Sequence, residues 1–454
     1  MNVSSESLWR LPRFRNLWLA QTVSLLGTQV TLLAFPFVAL LLHGTALEVS
    51  LLASVEFLPI LLFGLPAGAW VERLPLRRVM LVADAVRALA LAVVPIAWVS
   101  GGLTLALLYA VAFVIGFGTL FFDVAQMSYL PATVTEDRLA DGNAKLEGSR
   151  SFAQLGGPSA AGFMMQLISA PTAVLVNAVT YAGSFAFLLS VPEAERPVEE
   201  QPHEPQGLRG EIGEGVRFVV GHRLLRPLAL CDGLANLAFA AVLALQVFYG
   251  ARTLHLGSGV IGVVLAVGNL GGLVGAVACG PLTRRVAPGL QLIGSIVVCA
   301  IGAALLPLAH GAVGFGAGLF VVYVGVVIYN VNSVTLRQMV TPARLMGRMN
   351  ATLRFIEWGT IPVGSALGGV LVSPLGMRGV LWLAAGICAV AVVPPLLSPV
   401  RSLQAPAETA EADEAAEEAG AADGTQPAGD AAPQGEAALA AVTAAAAGTG
   451  GGTT

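Results

Sequence analysis

The sequence predicts an all-α membrane protein with twelve transmembrane helices in two pseudo-symmetric six-helix bundles. Three observations predict it. Hydrophobic residues make up 56% of the chain and charged residues only 11%. Basic residues alternate between rich and poor connecting segments. Two separate regions repeat at one constant offset.

A soluble domain carries about 25% charged residues, so 454 residues with 11% could not cover themselves in water. A bilayer removes that demand. The formal net charge of −4 hides a split. The segment after Arg401 holds nine acids (Glu408, Glu411, Asp413, Glu414, Glu417, Glu418, Asp423, Asp430 and Glu436) and no base, so the body is +5. Cys231, Cys279, Cys299 and Cys388 all lie in apolar segments without metal-type spacing and read as small buried hydrophobes. The segment 402–454 is Ala-, Gly- and Glu-rich, and its composition predicts a disordered tail.

Runs long enough to cross a bilayer, about 20 residues, fall at 17–42, 48–70, 79–99, 103–123, 144–168, 171–191, 227–251, 258–280, 289–309, 312–335, 347–372 and 376–397. The first is too long for a signal peptide core and is expected to remain as a span. The fifth and eleventh carry charges in their first turns. With both termini inside, nineteen bases fall on cytoplasmic segments, Arg337 among them, and only Arg252 and Arg378 on outer loops. That is the positive-inside bias, and it predicts a multi-pass protein of the inner or plasma membrane with cytoplasmic termini.

The domains predicted are an N-terminal bundle (1–191), a cytoplasmic linker (192–226), a C-terminal bundle (227–401) and the tail (402–454). Within the linker, Ile212, Val216, Val219 and Val220 share one face of a short amphipathic helix expected at the membrane surface.

The halves resemble each other at an offset of 207 residues. Gly68, Arg77 and Arg78 fall on Gly275, Arg284 and Arg285. Asn143, Gly157 and Gly162 fall on Asn350, Gly364 and Gly369. Glu147 and Arg150 fall on Arg354 and Glu357, two i, i+3 ion pairs of reversed polarity. A parallel repeat of six-helix halves places substrate near the midplane between them.

The loop Gly68-Ala-Trp-Val-Glu72-Arg73-Leu-Pro-Leu-Arg77-Arg78 resembles the Major Facilitator signature G-x-x-x-D-R-x-x-x-R-R, with Glu72 in the Asp position. The resemblance implies a gating lock of these charges with Asp123 at the inner end of the fourth span. Gly157-Pro158-Ser-Ala-Ala161-Gly162 is similar to the antiporter signature G-P-x-x-G-G, with Ala161 replacing a Gly. Asp84, Arg87 and Asn143 resemble the drug/proton antiporter group of macrolide-efflux and enterobactin-exporter proteins. The fourth span lacks the Arg that many of those antiporters carry.

An ionisable group inside a span is costly unless paired, hydrated or useful. Glu56 lies mid-span with no base nearby in sequence, which makes it a proton-coupling candidate beside Asp232 and Glu357. Asp84 and Arg87 are expected to pair as a structural clamp. The Glu147/Arg150 and Arg354/Glu357 pairs are read as a gate between the halves. Gln29, Phe35, Asn236, Phe239, Tyr323, Asn330 and Trp358 are cavity candidates that would suit a bulky amphiphile.

No P-loop, mid-span His or catalytic cluster stands out, so no ATP engine, metal site or cofactor is expected. The expectation is a proton-coupled exporter of an amphipathic molecule such as an antibiotic or siderophore. Its partners would be the lipid bilayer, the substrate and protons, without nucleic acid, and it would be a monomer. Alternatives are an importer of the same fold, a lipid-acting membrane enzyme and a non-transporting sensor.

Overall fold

The computed structural model describes residues 8–71, 73–130, 134, 138–191, 193, 208–283 and 285–402. Glu72, Arg284, most of the linker's first part and the tail lie outside the described residues. The N-terminal half holds α1 (Pro12–Leu41), α2 (Ala46–Val71), α3 (Leu76–Val99), α4 (Leu105–Tyr129), α5 (Leu139–Leu167) and α6 (Ala170–Leu189). Helix α7 (Leu208–Gly221) is the linker helix. The C-terminal half holds α8 (Leu225–Phe248), α9 (Ser258–Thr283), α10 (Pro288–Leu308), α11 (Ala312–Val340), α12 (Ala343–Ala391) and α13 (Val393–Leu396).

Among the described residues, ten helices are long and apolar enough to cross a membrane. One of them, Leu345–Leu396, contains two crossings, because Gly376 takes φ 71° and breaks α12 into arms 343–375 and 377–391. Helix α5 completes twelve. Asp141, Lys145, Glu147 and Arg150 in its first turns keep its hydropathy low.

Local chemistry explains several helix ends. Thr45 and Glu48 form a reciprocal capping box at the start of α2, with bonds of 2.8 and 3.3 Å. Thr104 and Ser169 cap α4 and α6 by accepting from Leu107 N and Thr172 N. The first helix of each half ends near a left-handed histidine, His43 at φ 59° and His255 at φ 54°.

Several helices run past their apolar cores. Helix α4 continues to Tyr129 and α11 to Val340. Backbone hydrogen bonding does not stop where hydropathy falls. This corrects two placements. Arg337, expected in a connecting segment, is buried within α11. Asp123, expected at the end of its span, lies inside α4.

The repeat offset has a spatial counterpart. A Cβ on Gly162 of α5 would lie 2.5 Å from Ser258 O and 3.1 Å from Gly262 Cα, on α9 of the opposite half. Gly369 of α12 packs equivalently against Leu47 and Ser50 of α2. Gly157 meets Gln29 of α1, and Gly364 meets Leu237 O of α8. Matched glycines therefore make matched contacts, within and between halves. Backbones this close need small residues, the usual solution where lipid supplies no hydrophobic drive.

The linker helix does not lie on a membrane surface alone. Glu214 pairs with Arg348 at the start of α12, and Gly215 packs against the Arg348 carbonyl. Val219 is buried in the bundle, whereas Val216 and Val220 are exposed. The side chain of Ile212 lies outside the described residues.

Candidate functional site

The two halves meet tightly at the end away from the termini. Ser258 Oγ donates to Gly162 O at 3.2 Å and Ser159 Oγ to Gly262 O at 3.4 Å. Further toward the terminal side, Asn269 Nδ2 donates to Gln154 O at 2.5 Å. Nearer the termini the same helices stand apart. A Cβ on Gly68, Gly148, Gly156, Gly280 or Gly347 would meet nothing within 4 Å. Met127, Glu147, Arg150 and Phe152 are exposed there. The halves are thus packed together at the distal end and stand further apart on the terminal side, where a contact of 3.6 Å between Arg354 and Met127 still bridges them.

A buried charge network sits on the C-terminal side, built from α8, α11 and α12. Tyr329 Oη donates to Asp232 Oδ1 at 2.6 Å. Arg337 donates through one amino group to Asp232 Oδ2 and through the other to Glu357 Oε1, the latter at 2.7 Å. Asp232 and Arg337 are almost fully buried, and the Glu357 side chain is 25% exposed. Two carboxylates thus share one guanidinium. Fully ionised, the network carries one negative charge in excess, and a single proton neutralises it.

The sequence pointed to Asp232 and Glu357 but paired Glu357 with Arg354. The structure corrects that pairing. Arg354 instead reaches Met127 Sδ of the opposite half at 3.6 Å and lies 5.9 Å over the Trp358 ring. A buried guanidinium leaves a larger deficit than an exposed one, so Glu357 goes to Arg337. The missed signal was on α11: Tyr329, Ser333 and Arg337 recur every four residues and are all buried.

The N-terminal half has its own charge cluster, on α3, α4 and α6. Arg87 pairs with Asp84, as expected. Ser184 Oγ donates to Asp84 Oδ2 at 2.6 Å, and Arg87 to Thr119 Oγ1 at 3.3 Å. The guanidinium lies 4.4 Å from the Phe122 ring centroid and 4.2 Å from that of Tyr181. One acid pairs directly with the base here, and Asp123 of α4 lies within Coulombic reach of the same guanidinium.

A Major Facilitator Superfamily model matches residues 17–361. The chain belongs to that superfamily. The multidrug efflux pump Tap of Mycobacterium tuberculosis is 30% identical over 368 residues, covering 78% of this chain and 85% of the pump. Macrolide efflux protein A of Streptococcus pyogenes is 25% identical over 239 residues, 52% of this chain and 58% of that protein. Among solved structures, a point mutant of the nucleoside transporter NupG superposes with TM-score 0.72 at 11% identity, covering 84% of this chain and 98% of that one. A bacterial ferroportin homologue gives 0.69 at 17%, covering 86% and 99%. The fold is the Major Facilitator fold, and this protein is a Major Facilitator transporter.

Within that fold the remaining predicted residues divide. Glu56 is partly buried, and its carboxylate has no hydrogen-bond or ion-pair partner among the described residues. Its main-chain carbonyl packs against Gly116 of α4. Glu147 and Arg150 form a loose pair at 3.8 Å on the exposed inner part of α5. Asn236 turns back to donate to Asp232 O at 3.0 Å. Phe239 and Tyr323 form an edge-to-face pair at 5.7 Å between α8 and α11. Gln29, Asn330 and Trp358 retain exposure, whereas Phe35 does not: it is packed in the core of the helix bundle, away from any open space.

The signature loop also departs from its expected pairing. Arg77 Nε donates to Leu188 O at 3.0 Å and Nη2 to Leu189 O at 2.6 Å, while its main-chain N–H donates to Glu193. The residue caps the end of α6, where carbonyls lack partners and cations are favoured. Arg73 and Arg78 are exposed. Asp123 is within Coulombic reach of Arg87 and Arg150.

Proposed function

We propose that this transporter expels an amphipathic small molecule in exchange for protons, by rocking its two halves about the space between them. The observation that carries the coupling is the excess acid: Asp232 and Glu357 share Arg337 on helices that face the opposite half. A proton taken up on one side would neutralise the network, and its release on the other would restore the charge. Energetic preference for one conformation would then depend on protonation, which is what coupling requires.

The efflux direction is supported by the two efflux relatives and by the basic residues, which favour cytoplasmic termini. The opening on the terminal side would then face the cytoplasm, from which a hydrophobic compound is captured. The Phe239–Tyr323 pair and the Trp358–Arg354 contact offer aromatic surface rather than dense polar groups. That suits a bulky amphiphile. Glu56, unpartnered on α2, is a second candidate for the proton or for a cationic substrate.

The test is accumulation of a fluorescent amphiphile in cells deprived of their own pumps. Expression should lower accumulation, and an uncoupler should restore it to the level of cells without the protein. Uptake driven by the gradient, or efflux indifferent to the uncoupler, would overturn the proposal.

A further inference from the structure

A cavity of about 410 Å³ opens at the terminal-side end of the C-terminal half. It lies between the start of α8 and the residues around α13, and no residue of the charge network lines it. Arg223 and Arg226 stand on one wall, and Pro394 and Pro399 on another. Both arginines are exposed, and among the described residues no acid lines the cavity. One turn into α8, Leu230 is 55% exposed, and Leu397, just past α13 on the facing wall, is 79% exposed.

This order of groups runs from charge to hydrocarbon at the depth where a span leaves the bilayer. Two guanidiniums match a phosphate diester, because each presents a planar fork of donors. The positive end of α8 adds to the same field. The proline walls are rigid, so the cavity exists without an occupant. A dissolved anion would use the arginines and leave the leucines in contact with nothing it needs. An anionic lipid uses both.

We propose that this cavity holds one anionic phospholipid, with its phosphate on Arg223 and Arg226 and its acyl chains along Leu230 and Leu397. Basic pockets between spans are a recognised way to hold such headgroups. The lipid would bridge the first helix of the C-terminal half to the last. The inference does not depend on substrate or direction of transport.

The test uses the full chain in detergent, titrated with phosphatidylglycerol, phosphatidylcholine or inorganic phosphate. Thermal unfolding and native mass spectrometry are the readouts. Phosphatidylglycerol should raise the unfolding midpoint and remain bound, and phosphatidylcholine should do so at least tenfold less effectively. R223Q/R226Q should lose that selectivity. R401Q, which removes an exposed charge outside the cavity, should keep it. L397Q should weaken lipid binding while leaving the charges intact, and so serves if the double variant does not fold. Equal selectivity in R223Q/R226Q and in the unaltered protein would overturn the proposal. So would a midpoint shift reproduced by inorganic phosphate alone, which would mark a soluble-anion site.

Discussion

Glu357→Gln separates coupling from folding. The substitution keeps the shape of the side chain and removes the excess charge, leaving Asp232 and Arg337 as a neutral pair. Arg337 exchanges its ion pair of 2.7 Å with Glu357 for a hydrogen bond from the same guanidinium to the Gln amide oxygen. Hydrogen bonds to charged groups contribute about 1.5–3 kcal/mol, and this one is weakened but not lost, so the cost should be about 1 kcal/mol. Arg337→Gln is the contrasting case. It leaves two neighbouring carboxylates without their cation, and breaking a buried pair this way costs about 3–5 kcal/mol.

The assay is substrate accumulation in proteoliposomes across a gradient of one pH unit, beside thermal unfolding of each variant. One proton per substrate then supports at most about a tenfold ratio, equivalent to about 1.4 kcal/mol. Glu357→Gln should unfold near the unaltered protein and exchange substrate across the membrane. It should build no ratio above one. Asp232→Asn should behave likewise, and Arg337→Gln should unfold earliest. If Glu357→Gln and Asp232→Asn each built the full ratio, the excess-acid argument would fail.

Three further outcomes follow from the geometry. Gly162→Ala places a methyl 2.5 Å from Ser258 O, so it should loosen the distal closure and shift spin-label distances toward an outward-open state; unchanged distances would refute that role. Arg77→Ala removes two bonds to the end of α6 and should lower stability by about 1–2 kcal/mol, with Arg77→Lys recovering part of it in the same unfolding assay. His222 Nδ1 accepts from Leu224 N and Leu225 N at 3.2 and 3.4 Å, capping α8, and burial holds its imidazole below the ordinary value. The cap's contribution is therefore complete above about pH 6.5 and lost as pH falls through the depressed folded-state value. Unfolding midpoints of His222→Asn should lack that acid-side decline.

The spans were legible because a bilayer imposes one length and one polarity on every crossing. The matched glycines were legible because close backbone approach admits few residue types. Tertiary charge pairing was not. Spacing on one helix offered Arg354 to Glu357, and the Tyr329, Ser333 and Arg337 stripe marks a buried face of α11 without showing which acid, twenty residues later, it meets. Hydropathy also placed Arg337 outside its span, because it registers where apolar residues end and not where a helix ends. The residues after 335, placed outside the tenth span, continue α11 as helix to Val340. Phe35 failed for the opposite reason: an aromatic residue on a first span reads the same whether it faces a cavity or the core.

The two charge clusters do not obey the repeat, and that departure bears on mechanism. At the 207-residue offset, Asp232, Arg337 and Glu357 correspond to Leu25, Leu130 and Arg150. Asp84 corresponds to Gln291, a buried amide that reaches Cys279 O at 3.5 Å. The contacts that close the distal end are symmetric, whereas the two charge clusters are not. The Asp84–Arg87 pair, with Ser184, Phe122 and Tyr181 around it, ties α3, α4 and α6 together. Protonating one acid of the C-terminal network leaves every charge matched. On the proposed coupling, a symmetric closure joined to the acid pair of the C-terminal half would let one protonation event bias the whole rocking motion.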